Sequence, residues 1–289
     1  MAGARPRTLP AAVVPVLVGA ACALGSSEDA RGSWWRVSLA AVVSLALQVG
    51  VNYANDYSDG VKGTDAQRVG PMRLVGSGAV AASAVKKAAF IALGIAAVAG
   101  LWLAVETSWW LLVVGAAALV SAWFYTGGPR PYGYIGLGEV FVFVFFGVVA
   151  TVGSTFAVTE EIPSISWIAS IVVGCFACAL LVVNNLRDIP GDTVAGKKTL
   201  AVRLGDGPTR TMFIGLFVLA TTGIVASAVV AGPWCLLGLL GVGAALPACH
   251  QVRDGAKGRD LIAVLQGVGR AQLVLAGAYA LGIAASLSN

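Results

Sequence analysis

Apolar residues in this chain neither alternate with polar ones nor recur only every third or fourth position; they run together. Nine stretches are apolar for most of their length: about 8–25, 36–56, 86–105, 109–126, 135–158, 165–186, 211–230, 233–250 and 260–287. A helix crossing a bilayer needs roughly 20 predominantly apolar residues, so each stretch is expected to be a membrane-spanning helix. The breaks between them are of two kinds. Short ones hold Glu28 and Asp29, Glu106, Glu160 to Pro163, and Gly232 with Pro233; longer ones, rich in Gly, Asp, Lys and Arg, cover 57–85, 127–134, 187–210 and 251–259. The two kinds alternate along the chain, as a serpentine helical bundle demands. Barrel strands alternate in polarity over about 10 residues, so a β-barrel is excluded. The expected architecture is all-α and integral to the membrane, with residues 1–289 forming one domain.

Composition agrees. Of 289 residues, 58% are hydrophobic and 11% charged, with a mean hydropathy of +0.85. Soluble domains carry about 25% charged residues, so the soluble enzyme classes are excluded. The excess of 19 Lys and Arg over 14 Asp and Glu suggests an acidic partner such as nucleic acid only until the charges are placed. Sixteen basic residues fall in the N-terminus and the long breaks; only Arg31 and Arg36 fall on the other side, and Arg270 lies within the last stretch. This positive-inside asymmetry puts the N-terminus in the cytoplasm and the C-terminus outside. Arg5 and Arg7 ahead of an apolar stretch also fit a signal peptide, but Pro10 and Pro15 interrupt that stretch, so a retained first helix is expected. The five cysteines all lie in predicted helices, and the lone Cys175/Cys178 pair has no second pair to complete a zinc site, so they are read as packing residues. Trp34, Trp35, Trp109 and Trp110 suit an interfacial aromatic belt.

Chemistry concentrates in two breaks on the basic side. The first reads Asn52-Tyr53-Ala54-Asn55-Asp56-Tyr57-Ser58-Asp59-Gly60. On a helix, Asn52, Asp56 and Asp59 at i, i+4 and i+7 stack on one face. The second reads Asn184-Asn185-Leu186-Arg187-Asp188-Ile189-Pro190-Gly191-Asp192, repeating the i, i+4 spacing in Asn184 and Asp188, with Asp192 beyond a Pro-Gly break. Each follows an apolar helix and precedes basic residues: Lys62, Arg68 and Arg73 in one case, Lys197, Lys198 and Arg203 in the other. The chain therefore reads as two pseudo-repeated halves, each with one Asp-rich motif, an arrangement in which the halves meet at one site. Carboxylate and amide oxygens suit Mg²⁺, which is held by one or two carboxylates plus ligand phosphates. Basic residues nearby would neutralise the rest, so the implied ligand is a diphosphate. An acidic run ordinarily just solvates a loop, but Asp56 and Asp188 follow apolar helices directly, where an ionised group is costly without a partner. Neither a calcium loop nor a P-loop fits the spacing.

The segments "NYANDYSDG" and "NNLRDIPGD" closely resemble the paired Asp-rich motifs of the UbiA-type intramembrane prenyltransferases. "ARPRTLP" at 4–10, "VGPMRLVGSG" at 69–78, "YTGGPRPYGY" at 125–134 and "KKTLAVRLG" at 197–205 are similar to the branch that prenylates 1,4-dihydroxy-2-naphthoate in menaquinone synthesis. The resemblance implies nine transmembrane helices around a central cavity open to the cytoplasmic face and, laterally, to lipid. It implies two Mg²⁺ ions on Asn52, Asp56, Asp59, Asn184, Asp188 and Asp192, bridging the diphosphate of a polyprenyl donor. Lys62, Arg68, Arg73, Lys197 and Lys198 would contact that diphosphate. Tyr125 matches a tyrosine facing the allylic carbon, although interfacial anchoring also explains a Tyr at a helix end. Gly127-Gly128-Pro129 separates it from Arg130, the candidate basic residue beside it. Arg7 is the candidate for the acceptor carboxylate, with positive-inside anchoring as its alternative. Glu139, an acid within an apolar stretch, is expected either to partner Arg130 or to act as a base near the acceptor phenol. Arg270 could pair with an acid across the cavity. The product would be demethylmenaquinone, made in the plasma membrane of a bacterium, with no nucleic acid and no obligate protein partner. Two other readings stay open: a relative using 4-hydroxybenzoate or homogentisate, and an ion-coupled transporter. The transporter is disfavoured because both Asp clusters lie at one face and the outer side offers no matching polar set.

Overall fold

A computed structural model describes residues 3, 5, 8–24, 33–64 and 73–288. The long apolar stretches are helical: α1 Pro10–Cys22, α2 Trp35–Lys62, α3 Ala82–Glu106, α4 Trp110–Phe124, α5 Gly138–Thr159, α6 Ser164–Val194, α7 Asp206–Ala231, α8 Pro233–Arg253 and α9 Asp260–Leu287. Among the described residues there is no strand. Seven of these helices are long and apolar enough to cross a membrane; α1 and α4, at 13 and 15 residues, are apolar but shorter. The α1 helix opens on Pro10, whose fixed φ and missing N–H suit a first helical position.

The α6 helix is the hub. Val172, Val173, Phe176, Ala179 and Val182 on it are at most 1% exposed. Phe176 meets Phe217 of α7 edge-on, with ring centroids 5.1 Å apart. On its other side α6 packs closely on α5 through facing glycines: a Cβ at Gly147 would fall 2.6 Å from the Gly174 Cα. Small residues that let backbones approach are how helices associate where lipid supplies no hydrophobic drive. Within α5 the turns widen over Phe143–Val149 into π-type bonding. The exterior is broadly apolar, with Val98, Trp110 and Val229 between 69% and 83% exposed. An apolar surface of that extent marks contact with lipid or protein, not water.

Two helices outrun the apolar pattern. The α2 helix was expected to stop near residue 56 but continues to Lys62, ending on Gly63 in the left-handed conformation at φ 72°. That conformation costs glycine nothing and suits a helix C-terminus. The α6 helix was expected to end near 186 but runs through Pro190 to Val194. Proline there removes one backbone donor, and the helix bears that cost, so there is no Pro-Gly break before Asp192. Both extensions are the polar motifs, carried into the bundle as helix.

Candidate functional site

A cavity of about 1160 Å³ lies inside the bundle. One end is polar, lined by Asn52, Asn55 and Asp59 of α2, Asn184, Asp188 and Asp192 of α6, and Arg73 and Lys197. Most of the rest is apolar, an arm whose lining includes Leu47, Leu101, Leu111, Leu119, Phe145 and Val149. A charged head with a long hydrocarbon tail matches that division of surface.

The α2 motif is rotated from the expected register. At about 100° per residue, Asn52, Asn55 and Asp59 fall within about 60° of one another, but so do Asn52, Asp56 and Asp59, so spacing admits either set. In the structure Asn55 lines the cavity and Asp56 does not. Asp56, 1% exposed, accepts from the backbone N–H groups of Leu74 and Val75, both at 3.0 Å. It anchors the segment that carries Arg73. Asp59 is the hub of the first cluster: Lys197 Nζ lies 3.1 Å from its Oδ1, Arg73 Nη2 3.6 Å from its Oδ2, and the Tyr134 hydroxyl donates at 2.5 Å. Asn52 donates to the Thr8 hydroxyl at 3.1 Å, tying α2 to the N-terminal segment. Asn55 Oδ1 accepts from the Thr126 hydroxyl at 2.8 Å. Lys62 does not line the cavity; its Nζ donates to the carbonyls of Thr126 and Gly128 at 2.7 and 3.1 Å and pins the loop after α4.

On α6, Asn184, Asp188 and Asp192 stand at i, i+4 and i+8 of one unbroken helix and all line the cavity. Arg187 curls back onto this face: its Nε and Nη2 donate to the two Asp188 oxygens at 2.7 and 2.8 Å, and Nη2 also donates to Asn184 Oδ1 at 2.7 Å. Lys197 reaches Asp192 as well, at 4.0 Å, and so bridges the two clusters. Lys198 is exposed; its backbone N–H donates to the Tyr134 carbonyl while its side chain stays out of the cavity lining.

Aromatic rings form another part of the lining. Tyr125 lines the cavity, set edge-on to Tyr132 at 5.4 Å between centroids, and Tyr132 stacks on Phe141 at 3.9 Å. Burial pushes the Tyr132 phenol well above its ordinary value, so it stays protonated and donates to the Ser121 carbonyl at 2.8 Å. Tyr132 and Tyr134 were missed as site residues; the aromatic spacing of "YTGGPRPYGY" was their only signal. Arg130 is exposed and outside the cavity lining, because the Gly127-Gly128-Pro129 turn carries it past the site. Glu139 does not pair with it. Glu139 is 7% exposed; its Oε1 accepts from Asn185 Nδ2 at 2.9 Å, and Asn185, not Glu139, lines the cavity. Arg270 is exposed on α9 and so is not the buried partner of an acid. Arg7 and Arg68 lie outside the described residues. Arg5, which charge counting had absorbed into topology, lines the cavity.

Among the described residues no three His, Cys, Asp or Glu side chains converge to hold a metal unaided. The donors instead are amide and carboxylate oxygens on two facing helices with cations between them. That set fits Mg²⁺, which takes few protein ligands and completes its shell from phosphates and water.

Residues 12–264 match the UbiA prenyltransferase family. A protein of Mycobacterium tuberculosis named 1,4-dihydroxy-2-naphthoate octaprenyltransferase is 47% identical over 289 residues, covering all of this chain and 96% of that one. The Escherichia coli protein of the same name is 37% identical over 70% of this chain and 67% of its own length. In structure, a UbiA homologue from Archaeoglobus fulgidus bound to GPP and Mg²⁺ superposes with a TM-score of 0.69 at 15% identity, over 98% of each chain. The apo UbiA homologue from Aeropyrum pernix gives 0.68 at 16% identity, over 98% and 96%. The chain belongs to the UbiA prenyltransferase family.

Proposed function

We propose that this protein transfers a polyprenyl group from its diphosphate to 1,4-dihydroxy-2-naphthoate, releasing carbon dioxide and diphosphate and leaving the quinol form of demethylmenaquinone. The observation that carries the reading is one cavity joining two oxygen-donor clusters, with cations between them, to an apolar arm. The near relatives named for this reaction select the acceptor. Asn55 and Asp59 on one side, and Asn184, Asp188 and Asp192 on the other, would hold two Mg²⁺ ions. When bound, Mg²⁺ stabilises the negative charge that gathers on the departing diphosphate. Arg73 and Lys197 neutralise the remaining charge on its oxygens. The apolar arm holds the tail and excludes water, and the faces of Tyr125 and Tyr132 shield the allylic cation until the ring reaches it. The C1–O bond breaks with its electrons leaving on the diphosphate; the ring carbon bearing the carboxylate then bonds to the C1 cation, and the C–CO₂ bond breaks so that its electrons restore the aromatic ring. The N-terminal segment carrying Arg5 and Arg7 receives the acceptor carboxylate. Asn185, held by Glu139, sets the wall opposite.

The same reading has nine transmembrane helices in the plasma membrane of a bacterium, with the two Asp-rich halves forming one domain, the N-terminus in the cytoplasm and the C-terminus outside. The short α1 and α4 reach across with their flanking residues, and the basic ends lie at the cytoplasmic face. In a cysteine-free background, Lys198→Cys is expected to resist an impermeant thiol reagent on intact cells and Glu160→Cys to react. The reverse labelling would invert the orientation.

The acceptor assay tests the function itself. Purified protein in nanodiscs receives Mg²⁺, a polyprenyl diphosphate and, in separate reactions, 1,4-dihydroxy-2-naphthoate, 4-hydroxybenzoate or homogentisate. Product is expected from the naphthoate alone, with carboxyl label leaving as CO₂ in step with prenylation. Chelator should abolish it and Mg²⁺ restore it. Prenylated 4-hydroxybenzoate with its carboxylate retained, and no naphthoate product, would reject the acceptor.

A further inference from the structure

Arg187 binds oxygens of Asp188 and Asn184, the same residues that the proposed function gives to a metal ion. Its side chain is 1% exposed, and its fork takes both oxygens of Asp188 together with the Asn184 amide oxygen, all at 2.7–2.8 Å. Neighbours at i and i+1 diverge by about 100° on a helix and do not ordinarily meet. The guanidinium reaches Asp188 only by folding back across the cavity-facing side of α6, and Arg187 does line the cavity. Arginine does not lose its proton in proteins. It therefore cannot neutralise itself when a divalent cation approaches the same oxygens; it has to move. Around Asp59 the cations come from other segments, Arg73 before α3 and Lys197 after α6. Asp188, by contrast, is held by a cation of its own motif.

We infer that Arg187 is an internal stand-in for the metal at the α6 cluster, and that it passes to the ligand's diphosphate when metal enters. The inference rests on the metal–diphosphate reading above. With the cavity empty, Arg187 balances Asp188 in a poorly hydrated site, where an unpartnered carboxylate is costly. Metal alone must displace the fork and leave it without an anion, so metal alone binds weakly. Metal arriving with diphosphate offers the fork a planar oxygen pair of matching geometry. The two ligands thus bind cooperatively, with Arg187 as the coupling element, and the carboxylates are delivered to metal only when there is a diphosphate to activate.

The test is metal binding, not turnover. Mn²⁺ affinity is measured by electron paramagnetic resonance on the full chain in nanodiscs, with and without inorganic pyrophosphate, and folding is checked by thermal unfolding. In the unsubstituted protein pyrophosphate should tighten Mn²⁺, and by linkage Mn²⁺ should tighten pyrophosphate equally. Arg187→Gln should bind Mn²⁺ alone about tenfold more tightly, within the usual span of site-to-site coupling, and should lose most of the pyrophosphate enhancement. Arg187→Lys keeps the charge but not the fork, so it too should bind Mn²⁺ alone more tightly; a general charge effect predicts no change there. Unchanged or weaker Mn²⁺ binding in Arg187→Lys would overturn the inference. If neither variant folds, the unsubstituted protein decides: Mn²⁺ binding equally tight without pyrophosphate rejects the stand-in. Absence of Mn²⁺ binding even with pyrophosphate would instead remove the metal reading beneath it.

Discussion

Asp59→Asn and Asp188→Asn are each expected to lower kcat/KM by on the order of 10²–10³-fold or more, the usual cost of removing one preorganised group that stabilises transition-state charge. The two carboxylates stand on different helices, α2 and α6, yet line one cavity, and Lys197 links their clusters, lying 3.1 Å from Asp59 and 4.0 Å from Asp192, one turn beyond Asp188. If both serve one leaving group, losing either disables the same step. The double variant should then be scarcely worse than either single one, because residues acting as a unit are non-additive. Multiplicative losses in the double variant would mean two independent tasks. Near-normal activity in either single variant would take that cluster out of the site. Steady-state kinetics with the naphthoate and a polyprenyl diphosphate over a Mg²⁺ series reads both outcomes.

The helices were legible because a membrane leaves them little choice: a run of apolar residues with internally satisfied backbone is close to the only structure lipid tolerates. Side-chain facing within the motifs was less legible. In the first motif, Asp56 and Asn55 are adjacent and both polar, and spacing alone allowed either to join Asp59. The deciding fact is non-local: the N–H groups of Leu74 and Val75 claim Asp56 from 18 and 19 residues away. In the second motif Pro190 read as a break, since proline removes a donor, but the helix passes through it and brings Asp192 onto the face of Asn184 and Asp188. Cations were the hardest to place. Lys62, Lys197, Lys198 and Arg130 all read as phosphate or cavity residues, yet only Lys197 points inward. Lys62 is spent on two loop carbonyls. Long side chains with several rotatable bonds take their partner from the fold around them, and no spacing rule encodes that partner.

Asp56→Ala is expected to behave unlike Asp59→Ala, although the two stand three positions apart in one motif. Asp56 is 1% exposed and takes two backbone N–H bonds on its two oxygens. Hydrogen bonds to a charged group contribute about 1.5–3 kcal/mol each, and removing the acceptor strands both donors. The loss should appear as a clear drop in thermal stability and, through the loosened segment carrying Arg73, as a raised KM for the polyprenyl diphosphate. Binding of Mn²⁺ in the presence of pyrophosphate should survive, because Asn55 and Asp59 keep their places on the cavity side of α2. Asp59→Ala should part from it in metal binding. It leaves the Leu74 and Val75 bonds intact but removes a carboxylate that lines the cavity, so it should abolish that binding; stability should fall as well, because Arg73, Lys197 and the Tyr134 hydroxyl lose their shared partner. Thermal unfolding and Mn²⁺ titration of the two variants side by side separate the roles. Loss of Mn²⁺ binding in Asp56→Ala with unaltered thermal stability would restore Asp56 as a metal ligand and return the motif to the register its spacing first suggested.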